Sequence, residues 1–155
     1  MKPRDLLETA RDLTRSGHGK PRQANLRRAT SSVYYALFHT LAKTTADLFI
    51  GGTGSARSDA AWLQAYRALD HGTAKSRCNN TSALVGFPQE LQDFALRFVA
   101  MQEKRQIADY DPSETFYKSD VLLDIEQTEA VLDRFDRVPA QAKRAFAAFL
   151  VLRTR

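Results

Sequence analysis

Apolar residues recur along most of the chain at spacings of three and four, and no stretch alternates between hairpin turns, so the pattern predicts helices and no sheet. The stretch Ala24 to Leu48 contains no Gly or Pro and holds the longest apolar run. Leu26, Ala29, Val33, Leu37, Leu41 and Leu48 form one stripe of it, with Tyr34 and Phe38 beside them. A helix apolar over most of its surface has to be central. Four polar residues, Arg28, Ser32, Tyr35 and His39, nevertheless follow at spacings of four, three and four, which sets them along a single edge. That edge is either an internal hydrogen-bond network between helices or a ligand site.

The remaining elements follow from the same periodicity. Residues 4–16 carry Leu6, Leu7, Ala10 and Leu13 on one face, and Gly17, Gly19 and Pro21 close this first helix. Pro21 fits the first turn of the long second helix. Gly51, Gly52, Gly54 and Ser55 predict a turn that lacks both the Gly-Lys-Ser/Thr ending and the preceding strand of a phosphate loop. A third helix is expected from a Ser58 cap through Trp62, Leu63, Tyr66 and Leu69 to about His71, with Gly72 as its stop. On that reading Trp62 and Tyr66 pair against the central helix, and His71 is a favourable cation at a helix C-terminus.

Residues 72–87 are rich in small and polar side chains and are expected to form the longest loop. Pro88 opens a fourth helix whose stripe runs through Leu91, Phe94, Phe98, Met101, Arg105 and Ala108. Arg105 breaks that apolar seam, so its guanidinium needs either a carboxylate partner or an opening that admits an anion. Asp111-Pro112 ends the element. A fifth helix is expected from about Ser119 through Phe135, and a sixth from Pro139 with Ala142, Phe146, Phe149 and Leu150 turned inward. The expectation is an all-α fold, a single domain over 1–155 built as an antiparallel bundle of five to six helices, with its core over about 20–135 and a C-terminal helix over 139–153.

The 23 Lys and Arg against 18 Asp and Glu give a formal charge of +5, which permits attraction to nucleic acid without requiring it. The single cysteine, Cys78, excludes an internal disulfide and any multi-cysteine metal site, and no activating motif surrounds it. His18 reads as a solvated loop residue. No apolar run approaches the roughly 18 residues of a membrane span, and charges interrupt the N-terminal stretch, so a soluble cytoplasmic protein is expected, with no cofactor and no metal.

Three runs, RRATSSVYYALFHTLA, WLQAYRALDHG and FVAMQEKRQIADYDP, resemble a HEPN domain, the higher eukaryotes and prokaryotes nucleotide-binding family. The resemblance covers roughly residues 20–135 and rests most on Ser31 to His39 and on RQIADY at Arg105 to Tyr110. It implies a helical bundle that forms a homodimer, with two copies of the family's site near the dimer axis. Many such proteins are metal-independent endoribonucleases, often the toxin of a toxin–antitoxin pair or part of a defence module, so an antitoxin or nucleotidyltransferase partner is implied as well.

The family motif is an Arg and a His with four to six residues between them. Arg105 matches the first position, but QIADYDP follows it and Tyr110 stands where the histidine is expected. Metal-free RNA cleavage needs a base for the 2′-hydroxyl, an acid for the leaving oxygen and a cation on the phosphate. Arg105 suits the cation's role. Tyrosine, with an ordinary pKa of about 10, is a poor base where histidine at about 6.5 is a good one. The reading is therefore an RNA- or nucleotide-binding protein without efficient turnover. It uses Arg105 with Tyr110 and the polar edge of the central helix to hold a phosphate-bearing ligand. Arg28, Ser32, Tyr35 and Asp109 are assigned to that ligand, with Asp109 also able to neutralise Arg105. The alternative is a ribonuclease in which Arg105 works with His39 or Tyr110.

Overall fold

The computed structural model describes every residue from Met1 to Arg155 and contains helices only. There are eight: α1 (Asp5–Arg15), α2 (Gln23–Phe49), α3 (Asp59–Arg67), α4 (His71–Cys78), α5 (Thr81–Leu84), α6 (Gln89–Tyr110), α7 (Lys118–Asp136) and α8 (Ala140–Val151). None is long and apolar enough to cross a membrane.

Helix α2 is the axis of the bundle. Its 27 residues span about 40 Å at 1.5 Å per residue, and α1, α3, α6, α7 and α8 all pack on it. Helix α6 runs antiparallel to α2, and α7 antiparallel to α6, as their contacts show. Arg27 meets Ala108 and Ser31 meets Asp109, whereas Tyr34 meets Phe98. Between α6 and α7, Lys104 pairs with Asp124 and Phe94 stacks on Phe135 at 4.6 Å. Leu26, Val33, Tyr34, Leu37 and Leu41 of α2 are buried together with Leu7 of α1, Phe94 and Phe98 of α6, Phe135 of α7 and Phe146 and Leu150 of α8, in one continuous cluster.

The helix count exceeds the five to six expected, and the excess lies where a loop was predicted. The third helix stops at Arg67 rather than near His71, and Asp70 starts a new one by accepting a hydrogen bond from the Thr73 amide at 2.8 Å. Gly72 is thus inside the first turn of α4, not a stop, and His71 begins a helix instead of ending one. The pair Asn79 and Asn80 divides the segment: Asn79 follows the last residue of α4, and Asn80 caps α5 through the Ala83 amide. Only Ala74 and Cys78 of α4 are fully buried, two small side chains that leave little apolar periodicity to read. Arg77 secures α4 by donating to the Leu152 carbonyl at 2.6 Å and to that of Phe149, at the C-terminal end of α8. Helix α7 starts at Lys118, one residue before the expected Ser119 cap, with no side-chain cap at all.

Phe94 touches Phe98, Phe135 and Phe146, joining three helices. Phe94→Ala should therefore cost about 3–5 kcal/mol in urea unfolding. Leu96→Ala, two residues on but 72% exposed, should stay within about 0.5 kcal/mol. Equal losses would contradict the assignment of the α6 inner face.

Candidate functional site

The outer edge of α2 and the start of α4 share one cluster of aromatic and titratable groups. Tyr34 is fully buried, and its hydroxyl and His71 Nδ1 share a hydrogen bond at 2.5 Å. The His71 ring stacks on Phe38 with centroids 4.1 Å apart and planes 17° from parallel. Gln102 of α6 donates to the His71 carbonyl at 3.1 Å, which fixes the start of α4. Arg105, one helical turn further along α6, lies against both tyrosines, its guanidinium carbon 5.1 Å from the Tyr34 ring and 6.0 Å from that of Tyr35. Tyr35 then contacts His39 at 5.9 Å, and His39 shares its Nδ1 with the Tyr66 hydroxyl of α3.

Beside this cluster runs a surface groove of about 320 Å³, lined on the α2 side by Arg28, Ser31, Ser32, Tyr35 and His39 and closed by Leu6 of α1. Arg28, Ser32, Tyr35 and His39, spaced along one edge of α2, thus all line one groove. Ser31 is committed, donating to Asp109 at 2.6 Å, and His39 is held by Tyr66. Arg28 and Ser32 make no side-chain hydrogen bond or ion pair within the chain, so the edge is not a closed internal network.

Burial sets the protonation of these groups. It pushes the Tyr34 hydroxyl far above its ordinary range, so this group stays protonated. The hydroxyl can donate to His71 Nδ1, with the imidazole proton on Nε2, or accept from a proton on Nδ1. In either arrangement His71 has its Nδ1 occupied by Tyr34. Its pKa is held below the usual 6.5, first by burial, then by the Arg105 charge, with Asp70 opposing. Burial likewise lowers the pKa of His39. Tyr66 is only half-buried, so its hydroxyl can donate to His39 Nδ1 or accept from it, and the second arrangement leaves Nε2 unprotonated. Cys78 is buried and its thiol is pushed up to about 12, which leaves no thiolate at neutral pH.

Arg105 and Asp109 are paired, as the sequence suggested, though at 3.5 Å the contact is long. Arg105 Nε is buried without a partner. Tyr110 is not in the cluster: five residues after Arg105 it points about 140° away around α6, is 76% exposed and makes no side-chain hydrogen bond. Sequence reasoning missed His71, Tyr34 and Gln102 as members of the site. The signal for His71 was present in Asp70, whose type suits a helix N-cap followed by an amide three residues on. No group of three or more His, Cys, Asp or Glu side chains is placed to hold a metal ion. No family model matches the chain, and searches for similar curated proteins and similar solved structures found no match.

Two histidines with lowered pKa values give a pH dependence of fixed sign. Below pH 6.5 the unfolded chain binds protons that the folded protein resists, so stability falls as pH drops from 7 towards 5 and levels off below the folded-state values. Asp70 and Asp111, whose pKa values are lowered by hydrogen bonds, act below about pH 5 and leave this window to the histidines. Urea midpoints measured across pH 5–7 should slope less in a His39→Gln, His71→Gln variant than in the wild type; parallel slopes would refute the assignment.

Proposed function

We propose that the chain is an RNA- or nucleotide-binding protein of HEPN type that receives a phosphate-bearing ligand along the α2 groove. The observation that carries this reading is the open state of Arg28 and Ser32, a cation and a hydroxyl with no internal partner, in one groove with an aromatic ring and an imidazole. Arg28 supplies charged N–H groups to phosphate oxygens and Ser32 a neutral donor. The part-exposed Tyr35 ring offers a face or edge to a base. Arg105 acts from behind that ring: it positions Tyr35 and keeps positive potential at the groove, with Asp109 offsetting part of its charge. Nδ1 of His71 is engaged by Tyr34, so it cannot take a proton from a 2′-hydroxyl without breaking that bond. The reading includes a homodimer, as the resemblance implies.

One observation favours the second reading, a metal-independent ribonuclease. His39 lines the groove, is kept neutral by burial, and can hold Nε2 free while donating from Nδ1 to Tyr66. In that case His39 is the base and Arg105 or Arg28 the phosphate cation.

Fluorescence anisotropy with labelled single-stranded RNA tests the first reading. Arg28→Ala should weaken binding several-fold and reduce the slope of log affinity against log salt by about one. Arg105→Ala should weaken it further, with circular dichroism confirming that the bundle stays folded. Wild-type affinity in a folded Arg28→Ala protein would remove the groove from consideration. RNA cleavage in chelator that is abolished by His39→Ala would establish the second reading in place of the first.

A further inference from the structure

A second feature lies across α6, α7 and the connection 111–117, away from the α2 groove. Arg27 and Gln23, on the first turns of α2, hold this connection with unusual completeness. Arg27 donates to the carbonyls of Ala108 at 3.0 Å and Asp111 at 2.7 Å and to that of Glu114, and its guanidinium lies 5.1 Å above the Phe116 ring. Gln23 clamps Phe116 from both sides of its peptide, accepting from its N–H and donating to its carbonyl, each at 2.8 Å. A connection fixed in this way is a preformed wall.

The wall encloses a cavity of about 330 Å³, at the small end of the range for ligand pockets. Its apolar surface comes from Ile107, Phe116, Tyr117, Val121 and Leu123, and three of these stay open to solvent: Ile107 at 40%, Tyr117 at 57% and Leu123 at 49% exposure. Asp124 at its base is buried and already neutralised by Lys104, at 2.7 and 2.9 Å, and by Arg97. Glu114 and Asp120 at the rim are exposed, and neither carboxylate has a hydrogen bond or ion pair within the chain. The rim therefore carries two free negative charges on a molecule whose formal charge is +5.

We infer that this cavity is a docking site for a protein partner, which inserts one large apolar side chain from a short segment flanked by Lys or Arg. The volume suits a single anchoring side chain and is too small to seat a helix. The exposed apolar surface supplies the anchor's contacts, and the unpaired Glu114 and Asp120 supply charge complementarity to the flanking cations. The same carboxylates repel phosphate, so the site is distinct from the α2 groove in position and in chemistry.

The test pans a displayed library of short random peptides against the full chain and measures the selected peptides by anisotropy on wild type and on two variants, Glu114→Lys with Asp120→Lys, and Leu123→Asp. Selected peptides should combine an aromatic or large aliphatic residue with neighbouring Lys or Arg, and each variant should weaken their binding by about tenfold. Three outcomes overturn the proposal. The first is the absence of enrichment, or enrichment of peptides without basic residues. The second is displacement of the selected peptides by RNA, which would make the cavity part of a nucleic-acid surface. The third is conversion of a wild-type dimer to a monomer by Leu123→Asp in sedimentation, which would make this face an interface between two copies of the chain.

Discussion

Enclosing α2 constrains every other element. Its apolar side chains extend round most of the helix, and exposing them would forfeit about 25 cal/mol for each Å² left in water. Helices α1, α3, α6, α7 and α8 cover them, and what stays uncovered is a narrow polar edge. The same helix therefore supplies the hydrophobic core and the floor of the candidate site, which makes Tyr35 and His39 rigid by construction. Their neighbours one position away, Tyr34 and Phe38, are packed into the core or against His71.

Arg105 shows how the site sits at the boundary between core and solvent. Its side chain is 11% exposed, a position in which a lone charge is costly. Asp109 at 3.5 Å and two tyrosine faces offset that cost only partly, and Nε is left without a partner. The uncompensated charge has consequences nearby: it disfavours protonation of His71 and raises the potential around Tyr35. The Tyr34–His71 pair beside a buried guanidinium is thus a positively biased environment at the edge of the core.

Much of this was legible in the chain. The central helix, its polar edge, the interruption of the fourth stripe at Arg105 and the aromatic pair Trp62 and Tyr66 all follow from strong periodicity, and the structure places them accordingly: Trp62 and Tyr66 lie 5.2 Å apart against α2. Helices α4 and α5 were not legible, because Ala74 and Cys78 give α4 too little apolar contrast and Gly72 resembles a terminator. That single error hid His71, whose role depends on which end of a helix it occupies. Tyr110 lies away from the cluster for a different reason. Adjacency in a motif does not fix a side of a helix, and its spacing of five from Arg105 sends it to the opposite face. The cavity beside α7 had no sequence signal either, since its wall depends on Gln23 and Arg27 meeting a loop more than eighty residues away.

The most direct test of the central claim, that the α2 edge is the ligand surface, is a residue-resolved NMR titration of the labelled protein with a short single-stranded oligoribonucleotide. The account predicts shift changes concentrated at Arg28, Ser32, Tyr35 and His39, with smaller ones transmitted to His71 and Arg105. Saturable changes confined to residues 104–127, or none along α2, would contradict it.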